Sequence, residues 1–156
     1  MTQRREKPRK NRRPIHTLSQ DEADRLIAEV KNAMEKLFVM PAAGERNAEF
    51  NVLGDDGEKF TIAVFRGTLN ADRHSMSARI TRLGVPLLRL CVNGSTHTNP
   101  DGERIGGTHW HIYKEGEDDW NAETADIESP DFVDDTIRLL DRFNVIRRPD
   151  FQEKLI

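Results

Sequence analysis

The chain has 156 residues, 24 Lys and Arg against 27 Asp and Glu, and a formal net charge of −3. That length suits one domain with a core of moderate size. Hydrophobic residues make up 36% and charged residues 33%. No apolar run approaches the roughly 20 residues of a spanning helix, and no apolar h-region follows the basic start, so a spanning helix and a secretory signal are excluded and the cytoplasm is the expected compartment.

The charge is unevenly spread. Residues 1–16 hold seven basic residues against Glu6 alone, a basic flexible arm, and residues 17–156, taken as a single α+β domain, carry 17 basic and 26 acidic residues. A basic arm on an acidic body predicts salt-sensitive attraction to nucleic-acid phosphates, with RNA the favoured partner; the plainer reading is a solvated tail. Residues 115–135 carry ten acids and no Lys or Arg. They offer a surface to a basic protein partner or, more simply, form a solvated loop leading into a helix start, where acids are favourable.

In chain order, Ser19 with Glu22 forms a capping box. Leu26, Ile27, Val30, Met34, Leu37 and Phe38 follow at helical spacing, so a helix of about 20 residues is predicted, ending before Pro41. Phe50–Leu53 and Lys59–Phe65 flank Gly54-Asp55-Asp56-Gly57, a hairpin signature. The run 73–82 alternates: Met76, Ala78 and Ile80 on one face, Arg73, Ser75, Ser77 and Arg79 on the other. Residues 87–92 form another strand, in which Cys91 reads as a small core or strand residue. A turn-rich loop containing Asn99-Pro100-Asp101-Gly102 leads to the strand His109-Trp110-His111-Ile112-Tyr113. A last helix is predicted from Ser129-Pro130, carrying Phe132, Val133, Ile137, Leu140 and Phe143 on its buried side, and the tail from Arg147 reads as an exposed end. The expected architecture is α+β: an N-terminal helix packed on a 4–5-stranded antiparallel sheet, with a C-terminal helix.

The chemistry lies in the histidine strand. Side chains alternate along a strand, so His109, His111 and Tyr113 face one way and Trp110 and Ile112 the other. Arg79 and Arg89 join the polar face if their strands are neighbours, and His97 stands on the preceding loop. Metal-free cleavage of RNA needs a base, an acid and cationic phosphate donors. His109 and His111 supply the first two, Arg79 and Arg89 hold phosphate, Tyr113 orients it, and His97 lies close by. Each has a plainer role: the histidines as polar strand residues, the arginines in pairs with acids of the last helix, and Asp101 as a turn former. His74, beside Arg73 at a loop end, is expected to be exposed.

A helix followed by an antiparallel meander resembles the barnase/RelE-like ribonuclease fold of many bacterial toxins, which implies a toxin-like endoribonuclease whose His, Arg and Tyr occupy the open sheet face. The run His97-x-Asn99-Pro100-Asp101-Gly102 with Gly107-Thr108-His109-x-His111-Ile112-Tyr113 is also similar to an uncharacterised bacterial family, which implies no chemistry. His109-x-His111 with Glu115 resembles the first metal motif of cupins, although Glu103 stands where that motif has glycine and no second motif follows. The expected function is thus a nucleic-acid-directed protein, most concretely a metal-independent endoribonuclease with no cofactor and no metal. The alternatives are a non-enzymatic interaction or inhibitor protein of a mobile element acting through residues 115–135, and an H-x-H metal-dependent enzyme.

Overall fold

The computed structural model describes residues 18–70, 72–117 and 121–154; the basic arm and Asp118, Asp119 and Trp120 of the acidic segment lie outside them. The elements in chain order are α1 (Gln20–Ala28), β1 (Lys31–Ala33), β2 (Leu37–Val39), β3 (Ala48–Gly54), β4 (Lys59–Arg66), β5 (His74–Ile80), β6 (Pro86–Val92), β7 (His97–Thr98), β8 (Arg104–Ile105), β9 (His109–Ile112), β10 (Ala122–Thr124), α2 (Phe132–Arg142), β11 (Val145–Arg147) and β12 (Asp150–Gln152).

The capping box forms as expected: the Ser19 side chain accepts from the Glu22 amide at 3.1 Å. The helix it starts is only nine residues long, not about 20. Its end is set by Lys31, which is fully buried. The Lys31 ammonium donates to the carbonyls of Ile27, Glu29 and Phe143 at 2.9, 2.7 and 2.6 Å, so one cation serves the C-terminal ends of both helices, where positive charge is favoured. Burial pushes its pKa down to about 8. Residues the helical pattern assigns to a buried stripe lie elsewhere: Met34 is 55% exposed, and Leu37 and Phe38 belong to β2.

The second correction concerns the sheet. It has eight strands in the order β10-β9-β6-β5-β4-β3-β1-β11, rather than four or five. Its centre, β3 to β6, is the expected antiparallel meander, with the hairpin Phe50↔Ile62 and Val52↔Phe60 in register. The additions are short strands. The tail from Arg147 is not a free end: it carries β12, which pairs in parallel with β2, just after β11 has paired in parallel with β1, and Phe151 packs on Phe38 and Phe50 at ring-centroid distances of 6.3 and 6.0 Å. The last helix starts later than Ser129-Pro130 suggests. Asp131 is its N-cap and accepts from the Asp134 amide.

Register divides the sheet cleanly. Ile62, Ala78, Leu88 and Ile112 face each other across four strands, as do Val64, Met76, Leu90 and Trp110. This apolar face packs against α2, whose Leu139 and Leu140 are fully buried, as is its C-cap Phe143; Phe143 meets Phe60 edge-on at 5.1 Å. Each such side chain contributes about 1.5–3 kcal/mol of burial free energy. His74 belongs to this face and is 3% exposed, contrary to the loop-end expectation. Its Nε2 lies 2.6 Å from an Asp135 carboxylate oxygen in the first turn of α2, and this pair ties the helix to β5.

Candidate functional site

The opposite face carries two rows of side chains. One runs Glu49, Ala63, Ser77, Arg89, His111, Ala122; the next runs Phe65, Ser75, Cys91, His109, Thr124. Arg89 is thus the direct neighbour of His111, and Cys91 that of His109. The same parity holds for Arg79, but Arg79 sits at the far end of β5 and forms an ion pair with Glu49 at 2.7 Å, not with an acid of α2. Tyr113 departs from the group. It is buried in the core and its hydroxyl donates to the Leu18 carbonyl at 2.7 Å, so it anchors the approach to α1 rather than the histidine site.

The loop between β6 and β9 folds over these rows as the β7–β8 ribbon. Its base is a backbone contact between two glycines. The Gly94 amide donates to the Gly107 carbonyl at 2.9 Å, and a Cβ on Gly107 would stand 2.2 Å from the Gly94 oxygen; only glycine permits that approach. Its tip is the Asn99-Pro100-Asp101-Gly102 turn. Asp101 accepts from the Glu103 amide at 2.9 Å, and Gly102 takes φ +90°. Asn99 is buried, and its amide both donates to the Ala122 carbonyl and accepts from the Ala122 amide, at 2.9 and 2.8 Å. The ribbon is therefore fixed at base and tip, and it holds His97 above the histidine strand.

Three imidazoles and a thiol converge there. The rings of His109 and His111 are 4.7 Å apart, and His97 lies 4.9 Å from His111 and 5.7 Å from His109. Cys91, His109 and His111 are 8%, 3% and 6% exposed, and their ligand-type atoms lie within 4.8 Å of one another. His109 Nδ1 is 2.7 Å from the Gly106 carbonyl. A carbonyl only accepts, so Nδ1 carries the proton, and Nε2 is the nitrogen that points inward. That Nε2 is 3.0 Å from Nε2 of His111. Two nitrogens on one tetrahedral zinc stand about 3.3 Å apart for bonds of 2.0–2.1 Å. The observed spacing is that of two ligands sharing an ion, or of two rings sharing a proton.

Glu115, the carboxylate of the cupin-like spacing, is not part of the cluster. It accepts from the Gln20 amide at 2.7 Å, and its own amide donates back to the Gln20 side chain. The third close ligand-type residue is Cys91, whose apolar surroundings in the sequence point to packing. The signal for it is parity: Cys91 stands two residues from Arg89, so it shares that residue's face, but its apolar neighbours Leu90 and Val92 mask this. Several acids of the 115–135 segment are engaged within the chain: Glu117 with Lys114, Glu123 with Arg142 at 2.8 Å, Asp131 as a cap and Asp135 with His74.

These features define a class, a protein of one large, mostly antiparallel sheet with a buried imidazole–thiol cluster roofed by a two-stranded ribbon. The chain belongs to a family of unknown function, DUF6978, whose family model matches residues 18–145 and so contains every element of the cluster and its roof. No curated protein matches the chain, and no solved structure does.

Proposed function

We propose that the protein binds a transition metal, zinc by the chemistry of its donors, through Cys91, His109 and His111, and is an H-x-H metal-dependent enzyme. One observation carries this reading: a thiol and two imidazoles, each 8% exposed or less, bring their ligand atoms within 4.8 Å of one another. Imidazole and thiolate suit zinc, and the Gly106 carbonyl behind His109 is the kind of outer support that orients a metal-bound histidine. Three protein ligands leave the fourth position to water or substrate, the pattern of catalytic zinc sites. A metal held there polarises a carbonyl or phosphoryl oxygen and lowers the pKa of its bound water.

The metal-free ribonuclease reading asks more of the same residues. A base and an acid working on one phosphodiester must stand on either side of it, and the His109 and His111 Nε2 atoms are 3.0 Å apart. The test is metal content of protein produced without a histidine tag, followed by cobalt substitution. One ion per chain and a thiolate-to-cobalt charge-transfer band, both lost in Cys91→Ser and His109→Ala, are expected. Metal-free protein that cleaves RNA in EDTA, with the cleavage abolished by changing both histidines, would overturn the reading in favour of the toxin-like ribonuclease.

A further inference from the structure

The ribbon over the cluster has an inner and an outer side. His97 and Ile105 are Cα partners across it, and so are Thr98 and Arg104. Partners in a ladder project to the same side. Ile105 is 5% exposed and faces the protein, so His97 faces inward with it, while Thr98 and Arg104 are exposed on the outer side. The ribbon is fixed by the Gly94–Gly107 contact at its base and by Asn99 at its tip. Register, rather than the freedom of a loop, thus places His97 over the cluster.

The spacing of the rings is a second, separate observation. Imidazoles bonded through nitrogen to one tetrahedral ion, with bonds of 2.0–2.1 Å, hold their ring centres about 5.2 Å apart. The three spacings among His97, His109 and His111 are 4.7, 4.9 and 5.7 Å, on either side of that value. The ring planes meet at 40°, 87° and 80°, so none of the pairs is a parallel stack.

We infer that His97 is the fourth ligand of the metal held by Cys91, His109 and His111, and that the metal locks the ribbon down as the roof of the site. The atoms within 4.8 Å of one another belong to the other three residues; His97 joins them when its ring turns a nitrogen toward the same point. The inference rests on the metal reading above and assigns the position that three ligands leave. His97 holds it in the resting protein, and water or a substrate oxygen reaches the ion by displacing that ring.

The test uses the full-length cobalt-loaded protein. His97→Ala should bind cobalt about tenfold or more weakly, at least what loss of a supporting group causes. Added imidazole, supplying the missing ring from solution, should restore the wild-type d–d spectrum in this variant. At the same concentrations it should leave the wild type unchanged, because the tethered His97 outcompetes a free ring. Amide hydrogen exchange across residues 95–105 should slow when the wild type is loaded with cobalt, and should not slow in His97→Ala. Wild-type affinity and spectrum in His97→Ala overturn the inference and leave a three-ligand site standing. Ribbon exchange in the wild type that is the same with and without cobalt also overturns it, whether or not the variant folds. Failure of the wild type to bind cobalt overturns the metal reading itself.

Discussion

His74 and His109 are each 3% exposed, on opposite faces of the same sheet. His74 meets a carboxylate, Asp135, which also accepts from the Asp131 amide at 3.2 Å and lies 3.3 Å from Arg138. That arrangement sets an imidazole against a carboxylate beneath a helix. His109 meets a second imidazole and a thiol, with a third imidazole above. Such a group gathers lone pairs, which a proton or a cation must hold together. Burial alone therefore does not distinguish a structural histidine from a functional one; the chemistry of the neighbours does.

The sharpest test of this contrast is Asp135→Ala. Removing one partner of a buried pair costs about 3–5 kcal/mol, so urea unfolding should show a loss of that size, equal with and without EDTA. A loss below about 1 kcal/mol, the range of exposed pairs, would mean that the pair is not a tie. The proposed metal cluster should behave in the opposite way. At free metal a hundredfold above Kd, binding stabilises by about 2.7 kcal/mol; EDTA should remove that increment from the wild type and leave His109→Ala unchanged.

The same contrast extends to cations. Lys31 is buried with a pKa lowered to about 8 by desolvation, against about 10.4 in the unfolded chain. Below pH 8 both states hold the proton. Between pH 8 and 10.4 the unfolded state binds more protons, so this group makes stability rise with pH. Chemical denaturation from pH 7 to 10 should show the wild type gaining on Lys31→Met across that window, and a difference that stays flat would show Lys31 to be ordinary. Arg79, one-third exposed on the open face, should matter least: Arg79→Ala is expected to cost no more than about 1 kcal/mol.

How much of this the sequence displays depends on the range of the forces involved. The meander β3 to β6 is legible because alternation and turn residues are local. The strands β1, β2, β11 and β12 have three residues each, too few for a period, and two of their pairings join distant segments in parallel. Leu37 and Phe38 fit a helical stripe as well as a strand, and the buried Lys31, whose third acceptor is Phe143, decides between them. For His74 the neighbouring Arg73 suggests an exposed loop end, but its parity with Met76 and Ala78 puts it on the buried face. In the site, the shared face of His109 and His111 is readable from alternation. The pairing of β6 with β9, which adds Cys91, and the folding of the ribbon, which adds His97, are matters of register between strands and so lie beyond one sequence.

The two hydrogen bonds between Asn99 and Ala122 have a further consequence. Ala122 lies on β10, the outermost strand on its side of the eight-stranded sheet. An outermost strand exposes peptide groups that can template the addition of a foreign strand. The Asn99 side chain presents a donor and an acceptor in amide geometry, and it satisfies the Ala122 peptide groups as a neighbouring strand would. The turn that fixes the roof of the site thus also seals part of the sheet's border against self-association. Asn99→Leu, which keeps the bulk and removes the amide, should make the protein associate in a concentration-dependent way visible by light scattering.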